Sequence, residues 1–98
     1  MYIVRDVFNL KYGHFRPVKA MMEEAMKMGM MPKSKSNRML SDFTGGAYRF
    51  IMETSFDSLA DFEKELSADM SKPEFQEWYK KFIEHVDSGY REILKVVG

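Results

Sequence analysis

The sequence predicts an α+β domain with the element order β–α–β–β–α–β, on three observations. Stretches rich in β-branched and aromatic residues open and close the chain, YIVRDVFNLK at 2–11 and YREILKVV at 90–97. Two regions between them carry apolar residues at helical spacing, each announced by cap chemistry. A pair of extended segments flanks Thr44-Gly45-Gly46, a hairpin signal because paired glycines supply the positive φ angles of tight turns.

The first strand stops at Gly13, and Pro17 stands in the first turn of the helix that follows, where its missing N–H would be unpaired anyway. That helix is expected to run to about Met28, with Gly29 as a left-handed cap and Pro32 barring continuation. At about 100° per residue, Phe15, Val18, Met21, Met22, Ala25, Met26 and Met28 share an arc of about 160°. Arg16, Lys19, Glu23, Glu24 and Lys27 fill the other side. The methionine-rich run MMEEAMKMGMM (21–31) therefore reads as a helix's inward stripe rather than a ligand groove, although Met suits both. Met30 and Met31 fall outside the pattern.

The second strand is expected over 34–43 and the third over 47–56. Alternation in the third sets Tyr48, Phe50, Met52 and Thr54 against Ala47, Arg49, Ile51 and Glu53. Ser58 with Asp61 starts a helix whose inner stripe is Leu59, Phe62, Leu66 and Met70. SKPE at 71–74 repeats the start signal, so a second helix follows, with Phe75, Trp78, Tyr79, Phe82, Ile83 and Val86 on one arc. Gly89 is read as its end and 90–97 as the fourth strand. The order is ferredoxin-like: one domain over 1–98, a four-stranded antiparallel sheet with its helices on one face.

Fifteen basic residues balance fifteen acidic ones, which removes the electrostatic footprint of a dedicated nucleic-acid binder. KSKSNR (33–38) has no aromatic interleaving and reads as a lysine-protected sheet edge. The absence of cysteine excludes disulfides, thiolate metal sites and Cys nucleophiles. No apolar run reaches the ~20 residues that span a bilayer, and MYIVRDVF lacks the layout of a signal peptide. A cytoplasmic location without a membrane partner is expected.

Helices cover one sheet face only, yet both faces carry apolar residues. The first strand offers Val4, Phe8 and Leu10 on one side and Ile3 and Val7 on the other; the fourth sets Leu94 and Val96 against Ile93 and Val97. A wet face of an antiparallel sheet should be polar, so a homodimer packed sheet to sheet is expected. Arg5, Asn9, Arg49 and Glu53 interrupt that second face. Once buried they must be paired, as in intersubunit bridges of Arg49 with Glu53, or bind a small molecule between the sheets.

LKYGHF (10–15), FDSLADFEKEL (56–66), PEFQEW (73–78) and REILKVV (91–97) resemble stretches of the dimeric α/β-barrel superfamily, and most of all NIPSNAP-type proteins. Tyr12 stands where that group carries proline. The resemblance implies sheet-to-sheet dimerisation into an α/β barrel, in a superfamily that includes cofactor-independent monooxygenases, isomerases and haem-binding enzymes; the NIPSNAP-type group has no shared reaction, and fold does not settle function. The haem-degrading branch relies on an Asn, a Trp and a haem-ligating His. Asn9 and Trp78 match superficially, but Tyr79 occupies the position of the His, and His85 lies two turns on. No cofactor is expected, and haem binding stays a minor alternative.

Within the expected barrel, Arg5 and Arg49 would anchor an oxygen-rich group through their forked donors. Asn9 would orient the ligand, with Tyr12 and Glu53 beside it, and His14, in the turn before the first helix, would shuttle a proton. The plainer readings are a turn residue for His14, a helix-terminal dipole partner for His85, and packing for Tyr12, Tyr48 and Trp78. Acidic pairs such as Asp57/Asp61 and Asp61/Glu65 read as solvated helix surface. No metal is expected from two distant histidines, and no P-loop, dinucleotide fingerprint or nucleophile elbow is present. Function is thus expected to be small-molecule binding, extending to cofactor-independent oxidation or isomerisation; the alternative is a non-enzymatic interaction or ligand-carrier module.

Overall fold

The computed structural model describes residues 1–30, 33–44 and 48–98, without the side chains of 69 and 70. The Gly45-Gly46 turn, Ala47, Met31 and the Met70 side chain lie outside the described residues. The elements are β1 (Tyr2–Leu10), α1 (Phe15–Lys27), β2 (Ser36–Ser41), β3 (Arg49–Phe56), α2 (Leu59–Met70), α3 (Pro73–Phe82), a single 3-10 turn (Ile83–His85) and β4 (Val86–Lys95). The sheet is antiparallel throughout, in the order β2-β3-β1-β4. That is the ferredoxin-like order. No helix among the described residues is long and apolar enough to cross a membrane.

Local chemistry sets the boundaries. Gly13, at φ 79°, turns the chain so that His14 N–H reaches Lys11 O at 3.0 Å. α1 ends in a Schellman motif: Gly29, at φ 70°, donates to Met26 O, and Met30 N–H donates to Ala25 O. This motif folds Met30 back onto the core, where it is buried. Ser58 Oγ accepts the N–H of Asp61, the expected cap of α2, and Pro73 opens α3.

The methionine stripe is narrower than the wheel predicts. Val18, Met22 and Ala25 are buried and Met21 is half-buried, while Met26 and Met28 are about half exposed. Those two form the ends of the 160° arc, and a helix lying on a sheet touches it only along the centre of its apolar face. Leu10, Val18, Met22, Phe50 and Phe82 make the core cluster. Phe82 stacks on Trp78 at 5.0 Å and meets Phe8 edge-on at 4.9 Å.

The last helix ends earlier than expected. Val86 already belongs to β4, and Gly89 lies inside that strand, opposite Phe8. A Cβ on Gly89 would stand 3.0 Å from Val7 O and 3.2 Å from the Phe8 ring, so the close approach of two strands, not a helix stop, uses this glycine.

Candidate functional site

Strand register divides the sheet into two chemically different faces. Directly opposed residues share a face. Under the helices, Asp6 opposes Met52 on β3 and Arg91 on β4. Between this face and the helices lies a cavity of about 130 Å³. Met22 and Ala25 of α1, with Met30 just beyond its cap, form one wall, Phe56 and Phe62 another, and Phe75, Trp78 and Phe82 of α3 a third. Trp78 does not spend its N–H on the cavity: Nε1 donates to Met21 O at 3.0 Å, which fixes the indole.

Asp6 is a carboxylate among these apolar groups, buried with only 8% exposure. It is held by Arg91, whose Nε donates to Oδ1 at 2.6 Å. The Arg91 guanidinium also lies over the Phe62 ring, 5.3 Å from its centroid, a cation–π contact that fixes its plane. An unpaired carboxylate would be costly here; this one is compensated. Glu65, expected to be solvated helix surface, is half-buried and lines the cavity at its rim, where its carboxylate accepts Lys33 N–H at 3.2 Å. Sequence reasoning passed over Asp6 and Arg91. The signal for Asp6 was the alternation of β1, which places it on the side of Val4 and Phe8.

The opposite face carries the residues the sequence singled out. Arg38, Glu53, Arg5 and Glu92 form one row across all four strands. Arg38 Nη2 lies 2.8 Å from Glu53, and Arg5 lies 3.2 Å from both Glu53 and Glu92. The buried Nε–H of Arg5 points off the line to Glu53, so that approach is an ion contact rather than a hydrogen bond. Arg49 pairs with Asp42 at 2.9 Å, and Asn9 donates to Ser88 Oγ at 3.0 Å. Within the chain, then, Glu53 is paired with Arg38 and Arg5, and Arg49 with Asp42.

The remaining candidates meet at one end of the sheet. Tyr12 is exposed, and its ring stands edge-on to Tyr48 at 4.9 Å. A hydrogen bond with Tyr12, then the Tyr12 charge, then burial hold the Tyr48 hydroxyl above its ordinary pKa of 10.0. His14, at the N-cap of α1, faces His85 with Nδ1 atoms 2.9 Å apart. Their ring centroids are 5.1 Å apart, close to the greatest separation that this distance and two ring radii allow. The nitrogens therefore meet head-on, as in an N–H···N bond, rather than converging on a third point as metal ligands do. No cluster of three or more potential metal-ligating side chains occurs among the described residues. Arg5, Asn9, Tyr12, His14, Arg49 and Glu53 are not among the residues lining the helix-side cavity.

No protein-family model and no curated protein matches the sequence. Solved structures do match the fold. A NIPSNAP domain protein from Burkholderia xenovorans superposes with a TM-score of 0.86 at 8% identity, over 99% of this chain and 95% of that one. A NIPSNAP family protein with unknown function from Agrobacterium tumefaciens gives 0.84 at 17% identity, over 98% and 87%. An antibiotic biosynthesis monooxygenase gives 0.74 at 14% identity, over the whole of both chains. The chain therefore has the ferredoxin-like fold that NIPSNAP proteins share with an antibiotic biosynthesis monooxygenase.

Proposed function

We propose that this protein binds a small, largely apolar organic molecule in the cavity between its sheet and its helices, and that it works as a homodimer. The observation that carries the reading is an apolar cavity of about 130 Å³ with a single compensated ion pair, Asp6–Arg91, in its wall. An engineered apolar cavity of roughly 150 Å³ binds benzene, so a one-ring ligand is the right scale. Concave, mostly apolar sites with a few placed polar groups are the usual form of ligand pockets.

Cofactor-independent oxidation or isomerisation is the chemistry compatible with such a site. The fold shared with an antibiotic biosynthesis monooxygenase supports that direction but names no substrate. The reading gives the open sheet face to dimer packing. The ion-pair row there is neutral within one chain, so a partner can cover it without stranding a charge.

The test is binding of toluene followed by thermal shift. Toluene should stabilise the protein, and Ala25→Leu, which grows a buried wall residue into the cavity, should abolish the shift while leaving the far-UV spectrum intact. Absence of binding by toluene and by one-ring analogues of the same shape to the unaltered protein would sink the reading.

A further inference from the structure

We infer that the Asp6–Arg91 pair makes the cavity selective for uncharged ligands carrying a hydroxyl group. This rests on the cavity being the ligand site. The pair is joined by one bond only, Arg91 Nε to Asp6 Oδ1. Among the described residues, Asp6 Oδ2 and the two Arg91 amino groups make no other hydrogen bond. An acceptor-only oxygen thus stands beside free N–H donors. A hydroxyl satisfies both at once, donating its proton to Asp6 and accepting from Arg91. A pure hydrocarbon satisfies neither.

Charged ligands fail for a different reason. The pair is already neutral, so a carboxylate would add a second anion beside Asp6 in apolar surroundings, where like charges disfavour one another. An ammonium would compete with Arg91 for Asp6 and leave a guanidinium without its partner. The other charged residue of the lining, Glu65, lies at the rim, where it also borders a shallow groove with Lys33, Lys35 and Lys64. Asp57 and Asp61 line the same groove and Lys35 pairs with Asp57 at 3.3 Å, so the charges at the mouth are balanced and Glu65 adds no attraction for an anion.

The pair is also placed where a ligand's polar end would enter. Asp6, Phe8, Tyr79, Phe82 and Arg91 border both the cavity and a second groove under β4, which reaches Gly89 and Tyr90. The polar head would therefore sit at the junction of the two, with the ring among Phe56, Phe62 and Met22 beyond it.

Four probes of one shape separate the alternatives: toluene, benzyl alcohol, benzoate and benzylamine, the last as its ammonium form, each titrated into the unaltered protein at neutral pH. Benzyl alcohol should bind about tenfold more tightly than toluene, a ratio that corresponds to ~1.4 kcal/mol. Benzoate and benzylamine should bind at least about tenfold more weakly than benzyl alcohol. Equal binding of toluene and benzyl alcohol would overturn the inference while leaving the cavity reading intact. Preference for either charged probe would overturn it as well. Binding of none of the four would overturn both. In the double variant D6L/R91M, in which apolar side chains replace both polar groups, checked for folding by far-UV spectroscopy, the ratio of benzyl alcohol to toluene affinity should fall to about one; a ratio kept near tenfold in a folded variant overturns the role of the pair.

Discussion

His14 and His85, 71 positions apart in the chain, face each other with their Nδ1 atoms at 2.9 Å. One ring must donate and the other accept, so the contact requires at least one neutral imidazole. It ties the first turn of α1 to the 3-10 turn that opens β4, beside the backbone bond from Lys11 N–H to His85 O at 2.9 Å. A side-chain bond of this kind contributes about 1 kcal/mol net. H14A and H85A should each lower unfolding free energy in urea by about that amount. The double variant should cost clearly less than the sum, because both singles break the same bond. Strict additivity would show that the rings do not interact.

Asp6 and Arg91 should respond unequally to truncation. The Arg91 side chain is 41% exposed and that of Asp6 only 11%. D6A leaves a guanidinium that water can reach, at a cost of about 1 kcal/mol. R91A strands a carboxylate inside an apolar cavity and removes the cation–π contact with Phe62, at a cost of about 2–3 kcal/mol. Chemical denaturation of both variants checks the order. D6A proving the more damaging would mean that the charge of Asp6 is not what Arg91 compensates.

What could be read from the sequence was local. The alternation of β1, the Gly29 cap, the Ser58 cap and Pro73 at the start of α3 each act within a few residues, and each does in the structure what its chemistry suggests. The candidate site depends on register instead. Asp6 meets Arg91 only because β1 pairs with β4 in one particular alignment, and no pattern within either strand specifies it. His85 reaches His14 for the same reason. Gly89 misled because glycine after an amphipathic helix usually marks its end, whereas here the chain has already entered β4.

Gly89→Ala tests that reassignment. The added Cβ would meet Val7 O at 3.0 Å and the Phe8 ring at 3.2 Å, both on the neighbouring strand. Backbone cannot retreat without loosening the β1–β4 ladder, so a loss of about 1–3 kcal/mol is expected. Amide exchange should quicken first in β4. A neutral or stabilising outcome would show that the strands have room to part.

Tyr48 should make stability depend on pH only in the alkaline range. Hydrogen bonding with Tyr12, then its charge, then burial raise the pKa of Tyr48 above 10.0. A folded-state pKa above the unfolded value means that the folded state holds the proton longer. The contribution is therefore complete below pH 10.0 and is lost as pH rises through the raised value. In Y12F the leading cause is gone, so the phenolate absorbance of Tyr48 should develop at lower pH than in the unaltered protein. An unchanged alkaline titration would remove the Tyr12 hydroxyl as the cause.

The open sheet face should be where two copies meet. Tyr90 and Leu94 lie on it opposite Val7 and Ile3, with 53% and 43% of their surface exposed. Between them runs the Arg38–Glu53–Arg5–Glu92 row, whose charges are matched within the chain. The apolar pairs Val7–Tyr90 and Ile3–Leu94 on either side of a neutral ionic row suit a self-complementary, two-fold interface. Light scattering at micromolar concentration should give twice the 11.6 kDa chain mass. L94E adds an uncompensated carboxylate beside Ile3, which is costly only if a partner covers it. It should therefore shift the mass to that of one chain while the far-UV spectrum stays the same. An unaltered protein that runs as a single chain would show that this face meets water.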